Sequence, residues 1–168
     1  MNPLVDRYEC SILKPGDEMD EIDFKILRSL QSQPAITTTE LADPVGLSQT
    51  PCWRRVKQLE ASGVIARRAV LLDARKLGFS VDVFAHLRIG RHDEDNLEAF
   101  EEAVRGHPEI LECFSMSGES DYLMRIVARS IEHYERFLKK VLLHLPGVAS
   151  VNSSFALKQV KVTTDVPI

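Results

Sequence analysis

Between Ser48 and Arg68 the chain gathers the side chains that a protein needs to touch double-stranded DNA: Ser48, Gln49, Thr50, Trp53, Arg54, Arg55 and Lys57 within ten residues, then Arg67 and Arg68. Amide, hydroxyl and guanidinium groups match the donor and acceptor edges of bases in a major groove, while cations and helix N-termini suit phosphates. Gln49, Thr50 and Arg54 are accordingly assigned to bases, Arg55, Lys57, Arg67 and Arg68 to the backbone, and Ser48 to capping the helix beside a phosphate. Trp53 has two readings, contact with a sugar or thymine methyl and packing against the first helix, with packing favoured. The bland alternative for the whole segment is an amphipathic surface helix whose basic face is merely solvated. Charge speaks against it: Gly46 to Arg68 holds five basic residues and one acid, whereas Asp73 to Ile168 holds twelve basic and fifteen acidic ones. The net charge of −4 therefore conceals a basic head and an acidic remainder.

Three short helices must position these groups. In the third, a rotation of roughly 100° per residue puts Cys52, Val56 and Leu59 on one side and Thr50, Arg54, Lys57 and Ala61 on the other. Ser48 suits its N-cap, Pro51 its first turn and Gly63 the residue just past its end. Before it, Thr37 with Glu40 forms a capping box that opens a short helix. Asp43-Pro44 should kink or stop that helix near Asp43, because proline lacks a donor and crowds the preceding turn. Gly46 then supplies the turn. The first helix is expected over Asp20 to Gln31, opened by Asp20 and Asp23 and ended by Pro34. Residues 1–18, with Pro3, Pro15 and Gly16, read as a flexible arm. Beyond Gly63, the segment GVIARRAVLLD fits a short strand or wing leading into a linker over residues 73–80. The head is thus residues 19–72, and the remainder, 81–168, a second domain.

In that remainder strands alternate with helices. Strands are expected over Val81 to Ile89, Ile110 to Met116, Tyr122 to Ala128 and Val148 to Leu157, with helices over Asn96 to Arg105 and Ile131 to Leu143. A weak repeat supports two tandem units: LEAFEEAVRGHPEI and YERFLKKVLLHLPGV each place an apolar residue four after a Phe and a Pro eight or nine after it. The expected fold class is α+β, a three-helix winged helix-turn-helix followed by a ferredoxin-like βαββαβ domain. Helices cover only one face of such a sheet, so self-association is expected to bury the other. Between two of the strands, Ser117 to Tyr122 reads by itself as a polar hairpin turn with Gly118 at positive φ.

Composition narrows the function classes. A chain of 168 residues, 44% hydrophobic and 27% charged, fits one ordinary core or two small ones. No apolar run approaches a membrane span and no leader pattern opens the chain, so a cytoplasmic, nucleoid-associated protein with no membrane partner is expected. Cys10, Cys52 and Cys113 lie far apart without metal-ligand spacing, and Cys52 falls on the buried side of its helix as a small hydrophobe rather than a redox sensor. No nucleophile, phosphate-loop or metalloprotease motif occurs, and His86, His92, His107, His133 and His144 are scattered. Neither an enzyme nor a metal or cofactor site is expected.

Five ordered stretches carry a resemblance: DEIDFKILRSLQ, TTELADPVGLSQTPCWRRVKQLEASGVI, LLDARKLGF, SGESDYLMRI and LPGVASVNSSFALKQVKVTTDVPI. From Asp20 to Ile168 the chain resembles the Lrp/AsnC (feast/famine) transcriptional regulators, and TPCW and SSFALKQVKVTT look most like the branch that includes cysteine-responsive members. The resemblance implies sequence-specific binding of palindromic promoter sites in genes of amino-acid metabolism, a small amino acid as effector, and assembly of homodimers into octamers. It also implies an effector site at Gly118, Glu119, Ser120, Asp121 and Tyr122, lined further by Ser153 and Ser154, where a carboxylate meets the effector's ammonium and turn amides its carboxylate. Asp43-Pro44 departs from the family pattern. With the acidic overall charge, that departure supports the competing reading, an amino-acid-sensing or assembly module with little or no specific DNA binding.

Overall fold

The computed structural model describes residues 19–168, and the arm expected over residues 1–18 lies outside them. Two compact units emerge. One extends to Val70 and also includes Thr163–Ile168; the other is Leu71–Val162.

The first unit contains α1 (Glu21–Ser32), α2 (Thr38–Val45) and α3 (Gln49–Ala61). Both capping boxes form: Asp20 accepts from the backbone N–H groups of Ile22 and Asp23, and Thr37 exchanges bonds with Glu40. Three helices of this length cannot stand alone in water, so their stability has to come from a shared apolar centre. Ile26, Leu41, Ala42, Val45, Cys52, Val56 and Leu59 supply it, with Ile22, Leu27 and Leu30 packed at its edge.

Pro44 does not stop α2 where expected. The helix runs on to Val45 and ends at Gly46, whose φ of 73° lets the chain reverse. The Leu47 N–H then reaches back to the Ala42 carbonyl at 3.0 Å. That left-handed cap and the burial of Leu41, Ala42 and Val45 outweigh the one ladder bond that proline forfeits. Gly63 performs the same service after α3, with φ of 81° and the Ile65 N–H bonded to the Leu59 carbonyl at 3.0 Å. Of the short strand or wing expected beyond Gly63, no strand forms: residues 66–73 make no ladder. The C-terminal residues are held instead on α1. The Gln31 amide pairs with the Val166 backbone in both directions, at 2.7 and 3.1 Å, and Arg28 Nε donates to the Ile168 carbonyl at 3.1 Å.

The second unit opens with a turn at 74–78, where the Asp73 carboxylate accepts from the N–H groups of Arg75 and Lys76 and the Arg129 guanidinium lies 4.7 Å over the Phe79 ring. Its elements are β1 (Val81–Ile89), α4 (Glu94–Arg105), β2 (Ile110–Ser115), β3 (Tyr122–Ala128), α5 (Ile131–Lys140), a 3-10 turn over Leu142–His144, and β4 (Val148–Phe155). The sheet order is β2-β3-β1-β4 with every paired ladder antiparallel, as a ferredoxin-like βαββαβ chain requires. Both helices begin on a side-chain cap, α4 on Asp93 and α5 on Ser130. The last helix is shorter than expected because Val141 leaves helical geometry before the 3-10 turn.

Burial alternates along β1, with Val83, Ala85, Leu87 and Ile89 inside. They meet Phe100 and Val104 of α4, Tyr134 and Phe137 of α5, and Tyr122, Met124 and Ile126 of β3. Phe84, Leu123 and Phe114 share the opposite face through their registered positions. Phe84 and Phe114 stay substantially exposed there, beside the Arg125 pairs with Asp82 and Glu112.

Candidate nucleic-acid interface and ligand loop

On α3 the sequence pattern translates directly into two faces. Cys52, Val56 and Leu59 are buried, while Gln49, Thr50, Trp53, Arg54 and Lys57 are exposed. Cys52 is wholly enclosed, and burial pushes its thiol above the usual range, so it behaves as a packing group rather than a reactive one. Trp53 does not take the packing role favoured for it: it is 51% exposed on the polar side. Ser48 occupies the N-cap with extended backbone, yet its hydroxyl makes no capping bond and remains available to an outside partner.

The basic residues divide. Arg54 and Arg67 are exposed and form no ion pair among the described residues. Lys57 and Arg68 both face Glu60, at 2.7 and 3.9 Å, through exposed pairs of the kind that contribute little and exchange readily for phosphate. Arg55, assigned to the DNA backbone from the sequence, has internal partners in the structure. Its guanidinium reaches Asp20 at 2.8 Å and Asp23 at 2.8 Å, the two carboxylates of the α1 capping box. Those bonds raise the guanidinium's proton affinity, Asp23 contributing most, and help hold the Asp20 carboxyl below its ordinary value behind the larger effect of the Asp23 N–H. Arg55 therefore ties the third helix to the first.

Gln49 also has an internal partner. Its Nε2 donates to Thr39 Oγ1 on α2 at 2.9 Å.

The loop after β2 is a tight polar turn. Gly118 has φ of 131°, a conformation other residues rarely adopt, and open space beside its Cα. Gly118 and Glu119 are exposed. The Met116 N–H donates to the Asp121 carbonyl at 2.8 Å, and the Asp121 N–H to the Leu87 carbonyl at 2.9 Å. Both Asp121 carboxylate oxygens are occupied: Oδ2 accepts from the Ile89 N–H at 2.7 Å and Oδ1 pairs with His92 Nε2 at 2.9 Å. The Ile89 N–H, then His92, hold this carboxyl below its ordinary value. Ser120 Oγ lies 3.3 Å from His86 Nδ1.

Other residues assigned to this site by resemblance have different surroundings. Tyr122 is 5% exposed, its ring 4.5 Å from Phe100 and its hydroxyl donating to Glu101 at 2.9 Å; burial drives that hydroxyl well above its ordinary range. Ser153 bonds the Tyr134 hydroxyl. Ser154 stands opposite Phe84 on the uncovered face. The loop meets β1 at Leu87, whereas Ser153 and Ser154 face Ala85 and Phe84, roughly 7 to 10 Å farther along the ladder. Within one chain, then, Ser120 and Asp121 lie with His86 and His92, apart from Ser153 and Ser154. The two histidines are among the five that the sequence scatters without ligand spacing. The one hint in the sequence is that His86 lies on the polar phase of β1.

Among the described residues no group of three or more His, Cys, Asp or Glu side chains converges as a metal site would require, and no helix is long and apolar enough to cross a membrane. Residues 19–66 match the family model described as winged helix-turn-helix DNA-binding, and residues 82–166 the one described as Lrp/AsnC ligand binding domain. The DNA-binding transcriptional activator DecR of Escherichia coli is 37% identical over 89% of this chain and 99% of its own length. Among solved structures, a transcriptional regulator from Neisseria meningitidis in complex with L-Met superimposes with a TM-score of 0.84 at 38% identity, covering 89% of this chain and 97% of the other. An AsnC family transcriptional regulator from Agrobacterium tumefaciens gives 0.83 at 43% identity over the same shares. A reading helix with one buried and one free face, joined to a βαββαβ unit of this topology, thus has its counterpart along nearly the whole chain, which belongs to the Lrp/AsnC family of DNA-binding transcriptional regulators and not to a family of enzymes.

Proposed function

We propose that the protein binds imperfect palindromic promoter sites as a homo-oligomer and that a small amino acid sets its occupancy there. The free face of α3 carries the reading: Gln49, Thr50, Trp53, Arg54 and Lys57 project together from a helix whose other side is buried. In this reading Gln49, Thr50 and Arg54 meet bases, and Trp53 joins them at a sugar or thymine methyl. Lys57, Arg67, Arg68 and the Ser48 hydroxyl meet phosphates. Two copies about a dyad would address half-sites about 34 Å apart, or a multiple of that. The half-exposed Phe84 and Phe114 on the uncovered sheet face favour self-association, with octamers as the larger assembly. The protein then works in the cytoplasm, on the nucleoid.

For the effector, the Neisseria meningitidis regulator holds L-Met, and a relative from Rhizobium meliloti is named leucine-responsive. Cysteine leads as this chain's candidate on the likeness of its TPCW and SSFALKQVKVTT stretches. Within the loop, the occupied Asp121 carboxylate suits holding the turn in shape. Glu119 and the turn amides at Gly118 and Ser120 are the groups open to an amino acid's ammonium and carboxylate.

A gel shift on the upstream region of the protein's own gene, run across salt concentrations, tests the DNA reading. Binding that prefers one sequence near physiological salt is expected. Binding without preference that vanishes as salt rises would instead favour the sensing or assembly module. A thermal-shift screen of the twenty amino acids identifies the effector by concentration-dependent stabilisation. Loss of that response in Glu119→Gln, with DNA affinity unchanged, is the expected outcome for the loop.

A further inference from the structure

The hydrogen bond between α2 and the start of α3 has a consequence for which base is read. A glutamine amide carries one acceptor and two N–H donors, and a half-turn about its last torsion exchanges them. Left free, Gln49 would sample many orientations of that amide. In this chain Nε2 is committed to Thr39 Oγ1 at 2.9 Å. Thr39 is itself held in place because it is the second residue of α2, whose first turn is fixed by the Thr37–Glu40 capping box. The Glu40 carboxylate is turned back onto Thr37 and does not compete for Gln49.

We propose that Thr39 is a positioning residue for DNA reading: by holding one end of the Gln49 amide it restrains that side chain so that the amide's remaining donor and acceptor meet a base edge together. That pair is complementary to the N6 donor and N7 acceptor of an adenine in the major groove. The preference at that base pair is then set by a residue on the neighbouring helix. This inference rests on the assignment of α3 as the reading helix.

Base preferences measured by selection from randomised duplexes test it, using the full chain as wild type, Gln49→Ala, Thr39→Val, Thr39→Ser and the double variant Thr39→Val/Gln49→Ala. Bidentate base contacts discriminate by about 5- to 150-fold. Gln49→Ala is expected to lose the preference for A·T at one position of each half-site. Thr39→Val should reduce preference at that same position by about three- to tenfold, leave other positions and the salt dependence unchanged, and add nothing in the double variant. Thr39→Ser, which keeps the hydroxyl, should restore the preference. The proposal is overturned if Thr39→Val retains full preference at the Gln49 position. It is equally overturned if Thr39→Val weakens all sequences alike with a shallower salt slope, which would make Thr39 a phosphate contact. Failure of the underlying reading looks different: the wild type itself would select no sequence. Thermal melting of each variant identifies misfolding, and the unfolded variant is then replaced by Thr39→Ala in the same comparison.

Discussion

Arg55 separates two accounts of the basic helix, and one substitution decides between them. As a phosphate contact, Arg55 would neutralise one phosphate and free the cation condensed there, so Arg55→Ala would lower the slope of log affinity against log salt by about 0.9 per subunit and leave folding untouched. As a clamp, it binds two carboxylates on α1, with side chains 31% exposed for Arg55, 15% for Asp23 and 49% for Asp20. Fully exposed pairs contribute about 0.2 to 1 kcal/mol. A forked arginine whose acidic partner is largely enclosed belongs above that range, because truncation leaves the Asp23 carboxylate short of a partner. Discounted for the exposure that remains, Arg55→Ala is expected to destabilise the helical unit by about 1 to 2 kcal/mol. In a helical unit this small, the melting temperature should fall by roughly 5 to 15 °C.

Two measurements on the same protein complete the test. Thermal melting followed by far-ultraviolet circular dichroism reports the stability loss, and binding titrations at several salt concentrations report the slope. The clamp predicts a clear loss of stability, an unchanged slope and a partial recovery in Arg55→Lys, which keeps the charge but not the fork. A shallower slope with unchanged melting would refute the clamp and return Arg55 to the DNA backbone.

Three further outcomes follow from local geometry. Gly46→Ala meets no atom within 4 Å but must hold φ near 73°, so it should destabilise the helical unit by about 1 to 2 kcal/mol through backbone strain alone, checked by denaturant unfolding. Asp121 has its folded carboxyl pKa depressed below the ordinary 3.8; its contribution to the loop is therefore complete above that value and lost as pH falls through the depressed one. Asp121→Asn should remove that part of the acid dependence, followed in a pH series of the Ile89 amide signal by nuclear magnetic resonance. Gln31→Ala removes both bonds to the Val166 backbone, and the Val166 amide should then exchange hydrogen at the rate of an unprotected amide.

Elements were legible in the sequence wherever a short-range rule decides them. Asp20 with Asp23 and Thr37 with Glu40 announced two helix starts, and the period-two run VDVFAHLRI announced β1. The buried and free faces of α3 followed from its period as well. Pro44 misled because a local penalty was weighed without the apolar contacts of Leu41, Ala42 and Val45. The strand alternative for the wing misled for the opposite reason: residues 66–73 have strand-like composition, but a strand exists only where a partner completes its ladder.

The site was less legible, since a polar side chain's role depends on which partner reaches it first. Arg55 was read by its neighbours Arg54 and Lys57, yet its acids lie 32 and 35 residues away. Asp121 was read as a free carboxylate, yet its imidazole partner lies 29 residues away. In both, the partner that sets the group's surroundings is too far along the chain for sequence neighbours to reveal. What remains exposed is a sharper indicator of function than residue type: among the described residues the unpaired cations of α3 narrow to Arg54, with Lys57 held only by an exposed pair. At the loop the free anion narrows to Glu119. Beside them stand the groups that hold their neighbours in place: Thr39 bonds Gln49 and Arg55 bridges to α1 in the head, while His86 meets Ser120 and His92 meets Asp121 at the loop.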